Sequence, residues 1–423
     1  MFRTLANAWK IKEIRQKLLF TVMILVIYRI GCYIPVPGVN TSVIADAISK
    51  YDILGFLNLF SGGGLENMAV FALGITPYIN ASIIINLLTV ALPPLERLAK
   101  EEDGPKKIEQ ITRYVGIGLA LVESIGVVLT FVANGAIKDA GFLHCTTVVL
   151  CLTAGSALTM WLGERINVKG IGNGISMIIF ASILSRVPSA VIALFGNAAA
   201  GTMSWWILAL LIVLVLVLIV AVTFIDMGER RIPVQYAKRV VGRKQYGGQS
   251  TFIPMKVNPS GVLPLIFAST FMQFVPMLCQ IFWRDSAFYT WWQQYLGTGS
   301  VAYMIIFALL ILFFSYFYSQ IAFNPIDVSK NLQQYGGFIP GIRPGKPTSD
   351  YLARILSRIT LFSAIFLAVL AAVPTLVTGF TGQSSFASAF GATSVLIMVS
   401  VALETTRAID SQMMMRNYKG FLG

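Results

Sequence analysis

"WWILALLIVLVLVLIVAVTFI", Trp205 to Ile225, runs for 21 residues without a charge, and only Thr223 interrupts its apolarity. A bilayer span needs roughly 20 predominantly apolar residues, so this stretch is a transmembrane segment. Lipid offers no hydrogen bonds to the backbone, which leaves a helix or a closed barrel, and continuous apolarity excludes the alternating pattern of a barrel strand. The same criterion applied outward gives ten spans, at 18–35, 68–92, 114–133, 145–162, 173–194, 205–225, 262–283, 301–323, 357–378 and 391–409. Composition agrees: 56% of residues are hydrophobic and 12% charged, against about 25% charged in a soluble domain. Mean hydropathy is +0.74. The fold class is an all-α polytopic membrane protein.

Lys and Arg set the orientation, because positively charged flanks stay on the cytoplasmic side. With the N-terminus inside, 27 of the 32 basic residues fall in cytoplasmic segments and four outside, at Lys50, Lys138, Arg186 and Arg284; Arg29 lies within the first span. Both termini are then expected in the cytoplasm. Residues 1–17 read as an amphipathic basic lead lying on the anionic lipid of the inner leaflet. The apolar run after it ends in "RIGCYIPVPG" instead of a small-residue cleavage site, so it reads as a retained span.

Catalytic and energy-coupling chemistry finds little purchase. Cys32, Cys145, Cys151 and Cys279 lack ligand spacing and read as inert buried thiols. His144, the only histidine, starts the fourth span without a partnering carboxylate pair. No G-x-x-x-x-G-K-[ST] loop is present, so any uphill work draws on a partner's nucleotide. No cofactor is expected. Ion-coupled transporters keep ionisable groups near the midplane. Here the deepest are Arg29, Arg186 and Glu123, the two arginines within snorkelling reach of the outer interface and Glu123 placed as an interhelix or cavity contact ahead of a proton site. Gly, Pro, Asn, Ser and Thr take their place, as in "ALGITPYINASIIINLL" (72–88).

Two cytoplasmic loops, 226–257 and 324–356, are long and rich in Gly, Pro and basic side chains. They read as projecting hairpins for a ribosomal RNA surface or an acidic protein, or as charge that merely fixes topology. Residues 51–68, "YDILGFLNLFSGGGLENM", form a greasy half-helix broken by three glycines and too short to cross a bilayer. From the residues alone it is an outer re-entrant loop.

Long stretches resemble the SecY family of protein-conducting channels nearly end to end. They include "YRIGCYIPVPG" (28–38), "FSGGGLENMAVFALGITPYINASIIINLLTV" (60–90), "MWLGERINVKGIGNGISMIIFA" (160–181), "ERRIPVQYAKR" (229–239), "NPSGVLPLIFAS" (258–269), "FNPIDVSKNLQQYGGFIPGIRPG" (323–345) and "FGATSVLIMV" (390–399). The resemblance implies two inverted five-span halves, 18–195 and 205–423, around a central pore that opens sideways between the second and seventh spans. It implies that 51–67 is a plug, with Phe56, Leu57, Asn58 and Phe60 on its body and a hinge at Gly62, Gly63 and Gly64. Ile75, Ile79, Ile175, Ile179, Ile266 and Ile397 would form the pore ring. Independently of the family, Ile75 and Ile79, like Ile175 and Ile179, are i, i+4 pairs on one helix face. Asn80, Asn86, Thr270, Gln273 and Phe274 would line the side gate. Arg343, with Arg239, Arg243 and Lys244, would meet a cytosolic motor or ribosome. The implied function is passage of unfolded polypeptides across the bacterial cell membrane and release of apolar segments into it. The implied partners are the small subunits SecE and SecG, the SecA motor ATPase, translating ribosomes, and signal peptides with their nascent chains. A secondary transporter of inverted repeats is the rival reading. A membrane-embedded enzyme fails for want of a paired catalytic constellation.

Overall fold

The computed structural model describes residues 8–39, 43–44, 48, 58, 60–133, 135–137, 141–236, 239–241, 244–246, 250–282, 286–297, 300–381 and 390–419. Among them the helices are α1 (Lys12–Gly31), α2 (Thr76–Ala91), α3 (Pro93–Lys100), α4 (Gly104–Ala133), α5 (Phe142–Lys169), α6 (Gly174–Ala199), α7 (Trp205–Met227), α8 (Leu263–Phe282), α9 (Ala287–Leu296), α10 (Val301–Ala322), α11 (Pro325–Gln334), α12 (Lys346–Thr381) and α13 (Ala392–Lys419). The strands are β1 (Glu229–Tyr236), β2 (Arg239–Val241), β3 (Lys244–Tyr246), β4 (Ser250–Lys256) and β5 (Gly337–Phe338). Ten helices, α1, α2, α4 to α8, α10, α12 and α13, occupy the ten apolar stretches, and they are the first to tenth spans below. Six of these, the third to sixth, eighth and ninth, are long and apolar enough to cross a bilayer taken singly.

Several boundaries differ from expectation: the third span starts at Gly104, not 114, the fourth runs to Lys169, not 162, and the tenth runs to Lys419, not 409. The second span begins at Thr76, not 68, because Gly74 adopts φ 55° and Pro77 is suited only to a first helical turn. Its 16 residues rise about 24 Å, short of a hydrocarbon core of about 30 Å. Beyond Leu92 the chain bends by 101° into α3. The ninth span starts eleven residues early, at Lys346, so much of its loop is helix. Residues 12–17, assigned to a separate N-terminal lead, are the first turns of α1.

Helix packing repeats with an offset of five. The first span packs on the fourth and fifth, the second on the third, the third on the fourth and the fourth on the fifth. The sixth likewise packs on the ninth and tenth, the seventh on the eighth, the eighth on the ninth and the ninth on the tenth. The fifth span joins the two sets through the sixth and tenth. The largest apolar cluster draws residues from both, including Tyr28, Phe60, Ile79, Ile183, Leu265, Leu367 and Ile397. Outward-facing apolar residues such as Val217, Val220 and Phe224 of the sixth span meet lipid instead.

The two basic loops are not separate hairpins. β1 pairs antiparallel with β4 along its length, Glu229 to Gln235 opposite Lys256 to Ser250. Its last residues, Gln235 and Tyr236, pair with Phe338 and Gly337 of β5 in the other loop. Ile232 and Val234 alternate inward onto Leu332, Ile339, Leu352 and Leu356, giving the sheet its own small core.

Close packing of the fourth span depends on Gly155, where an added Cβ would lie 1.8 Å from the Val70 carbonyl oxygen. Gly118, on the third span, has nothing within 4 Å of that position. Both changes to Ala gain the same helix propensity, so their difference isolates the contact. Gly155→Ala should lower the thermal stability of the detergent-solubilised protein, at an overpacking cost of about 1–3 kcal/mol, while Gly118→Ala should leave it equal or higher. Equal melting of the two variants would contradict the packing described.

Candidate functional site

Four spans converge on a cavity of about 220 Å³. Ile79 and Ile83 come from α2, Ile175 and Ile179 from α6, Ile266 and Phe267 from α8, and Ile397 and Val401 from α13. Five of the six isoleucines named from the sequence thus share one wall. Ile75 lies one turn earlier, at the N-cap of α2, 1% exposed and in the same apolar cluster. Helix geometry brings them there: Ile79, Ile83 and Asn86 are i, i+4 and i+7, one face of α2. Asn173 caps α6, accepting hydrogen bonds from the backbone N–H groups of Ile175 and Ser176 at 3.1 and 3.4 Å, which fixes where that helix starts beside the cavity. Phe267 is backed by edge-on contacts to Phe314 and Tyr318 of the eighth span, at 5.5 and 5.6 Å. Among the lining residues none is charged; Tyr78, Ser82, Asn86, Asn173 and Ser176 are the ones that carry polar groups.

The gate residues divide. Asn86 lines the cavity. Asn80 does not face that seam. One residue on from Ile79, it is turned about 100° round the helix, and its Nδ2 donates to Glu123 Oε1 of the third span at 2.8 Å. Glu123 is accordingly an interhelix contact, 7% exposed. Thr270 is half-buried on α8. Gln273 and Phe274 are on the same helix, with side chains outside the described residues.

Of the segment read as a plug, Phe56 and Leu57 lie outside the described residues, whereas Asn58 and Phe60 are each 2% exposed. Phe60 joins the apolar cluster of the ring isoleucines. Gly62 and Gly63 take φ of 64° and 89°, a left-handed turn that other residues resist. Gly64 is buried against the Phe71 carbonyl oxygen, 3.3 Å from where a Cβ would stand.

This turn is held by side chains whose role sequence reasoning missed. The Tyr28 hydroxyl is 2.8 Å from Ser182 Oγ and donates to the Ser61 carbonyl at 3.4 Å. Cys32 Sγ donates to the same carbonyl at 3.5 Å. Arg29 Nη1 donates to the Gly62 carbonyl at 3.0 Å, and Arg186 Nη2 stands 3.7 Å from Glu66 Oε2. Glu66 is bound in turn to Asn58, through its backbone N–H to Asn58 Oδ1 and through its carboxylate to Asn58 Nδ2. Both arginines, read as snorkelling outward, are turned to this segment. The signal lay in their company: two arginines at one end of otherwise apolar spans, and one acid in the glycine turn.

In the loop that follows β5, Arg343 is exposed, and its carbonyl accepts from Thr348 Oγ1 at 2.8 Å. Ile342 beside it packs on the sheet core, so the loop tip is built, not loose. Arg239 and Lys244 begin β2 and β3, which pair Arg239 with Tyr246 and Val241 with Lys244. Arg243 and the side chains of Arg239 and Lys244 lie outside the described residues.

Two repeated five-span sets closing on an uncharged, isoleucine-rich cavity, with a basic sheet at one end, define a polytopic channel subunit. The sequence model of the SecY family matches residues 69–406. The chain is 43% identical to the protein translocase subunit SecY of Streptomyces galbus, over 100% of both chains. It is 41% identical to the subunit of that name from Mycobacterium bovis, again over 100% of both. Among solved structures it is similar to one described as "The structure of a protein conducting channel", at TM-score 0.66 and 19% identity over 93% of this chain and 91% of that one. It is also similar to Sec61 in the canine ribosome-channel complex from the endoplasmic reticulum, at TM-score 0.61 and 17% identity over the same shares. The chain belongs to the SecY family.

The Glu66–Arg186 pair gives a direct test of how the glycine turn is held. Partly exposed pairs contribute up to about 1 kcal/mol, roughly fivefold in a local opening equilibrium. Glu66→Arg alone and Arg186→Glu alone should each speed amide hydrogen exchange across 60–69 by at least about that factor, and the double exchange should restore most of the protection. Faster exchange in the double variant than in either single one would contradict a charge contact.

Proposed function

We propose that this protein is the subunit through which unfolded polypeptides cross the bacterial cell membrane, and from which apolar segments leave sideways into the lipid. One observation carries the reading: branched apolar side chains from four spans, two in each repeated set, meet at one cavity without a charge. A ring of this kind excludes water and ions by dewetting. It makes no sequence-specific bonds, so it yields around a chain of any sequence. Phe60 and the glycine turn form the plug, resting on the ring's apolar cluster and tethered by Arg29 and Arg186. The second and seventh spans form the gate, sharing the cavity wall with Ser82 and Asn86 on one side and Leu263 and Phe267 on the other.

The protein is a conduit and not a catalyst, so force comes from outside. The sheet joining the two basic loops, with Arg343 exposed in the loop after β5 and Arg239, Arg243 and Lys244 in the basic stretch of sequence between β1 and β4, is the docking surface for the SecA motor or a translating ribosome. SecE and SecG are its companion subunits, and both termini are cytoplasmic, with the basic lead on anionic lipid. Support for the ribosome comes from the Sec61 relative, whose structure is of a ribosome-channel complex. A secondary transporter is disfavoured because the cavity lacks the ionisable group that coupling requires, and Glu123 is engaged by Asn80 on another face of α2.

Replacing Ile79, Ile179, Ile266 and Ile397 together with Ser should wet the constriction and give the resting channel a standing ion conductance in planar bilayers. A single Ile→Val should not, since it removes only about 0.5–1.5 kcal/mol of packing from a shared seal. Conductance of the fourfold variant equal to that of the parent would remove the ring from the pathway.

A further inference from the structure

Between the seventh and eighth spans lies α9, "AFYTWWQQYL", on the side of the membrane opposite the basic sheet. Ser286 caps it, its Oγ accepting from the Phe288 N–H at 3.1 Å, so it is a defined ten-residue helix. Phe288, Trp291, Trp292 and Tyr295 are i, i+3, i+4 and i+7, a single face. Their rings form a connected stripe, with Phe288 to Trp291 at 6.0 Å and Trp291 to Tyr295 at 5.9 Å. That stripe is uncovered: Phe288, Trp291 and Tyr295 are 47%, 48% and 53% exposed. Thr290, Gln293 and Gln294 make the opposite face and are exposed as well. Only Leu296 is buried.

We infer that α9 lies in the plane of the membrane, its aromatic stripe seated at the boundary between lipid headgroups and acyl chains. A helix with one wet and one aromatic face, both open, suits a boundary that is itself half wet, where Trp and Tyr are favoured. The stripe is continuous along the chain with a lipid-facing surface, because α10 starts five residues later and presents Val301, Ile305, Leu309 and Phe313 outward at four-residue intervals. Surface-bound helices usually add Lys and Arg for anionic headgroups. α9 has no charge at all, so its seat is independent of lipid charge. The inference rests on the two spans crossing the membrane and not on what passes through the channel.

The test uses the full-length channel, reconstituted in phosphatidylcholine vesicles with or without phosphatidylglycerol, carrying one nitroxide-labelled cysteine at a time from 287 to 296. Collision rates with oxygen and with a water-soluble nickel chelate report depth. Labels at 288, 291 and 295 should favour oxygen and those at 290, 293 and 294 nickel, with helical periodicity and identically in both lipids. Labels at Thr290, Gln293 and Gln294 leave every aromatic in place. As a second reading, bromine on the upper acyl chain should quench tryptophan fluorescence more in the parent than in Trp291→Phe/Trp292→Phe. Uniform nickel access would put the helix in water and overturn the inference. Shielding of 288, 291 and 295 from both reagents would overturn it in favour of a protein cover, and a pattern that needs phosphatidylglycerol would overturn its independence of charge.

Discussion

A peptide group in hydrocarbon has no solvent to bond with, and the rest of this molecule follows from that constraint. It forces the chain into helices wherever lipid surrounds it. It also confines every break in a helix to places where protein can satisfy the freed groups. The principal break lies at 60–75, between the first and second spans. Its backbone is met by Tyr28, Arg29 and Cys32 of the first span, and Tyr28 is itself in contact with Ser182 of the fifth. The segment is held by these side chains and by short main-chain bonds to the residues just past the first span, from Val36 N–H to the Met68 carbonyl and from Val70 N–H to the Ile34 carbonyl, and not by a helical ladder, so its release does not require a span to unfold. That is what the proposed plug requires.

The cavity and the turn above it use opposite chemistry for one end. The cavity isoleucines are held by non-directional apolar contact, which under the proposed function would tolerate any sequence threading between them and close again afterwards. The turn is held by directional hydrogen bonds and a partly exposed ion pair, which fix one arrangement and are lost together once it moves. Phe60 belongs to both, a residue beside the glycine turn that sits in the same apolar cluster as the cavity isoleucines.

The ten spans were legible in the sequence because apolar length is a local signal; the cavity-facing isoleucines followed from the family resemblance, with i, i+4 spacing supporting only the Ile75–Ile79 and Ile175–Ile179 pairs. What was not legible is what depends on angle or on distant pairing. Asn80 and Ile79 are neighbours in sequence, and only the start of α2 at Thr76 decides that Ile79 faces the cavity while Asn80 turns to Glu123. The basic loops read as projecting hairpins, without a strand pairing that links them. Pro233 is tolerated in β1 because β5 reaches only Gln235 and Tyr236, leaving no ladder bond to lose on that side. The alternation of Ile232 and Val234 was the available clue. Arg29 and Arg186 could be located at one end of their spans, but a charge's partner lies across the fold, where spacing along the chain is silent.

The central claim is that these isoleucines border the path of a moving polypeptide. The most direct measurement places single cysteines at 79, 179, 266 and 397 and arrests a secretory chain midway, with a crosslinker carried along that chain. Crosslinks from all four positions, obtained equally with unrelated chain sequences, are the predicted result. Labelling of those cysteines by lipid-soluble reagents alone, with none joined to the arrested chain, would contradict the account.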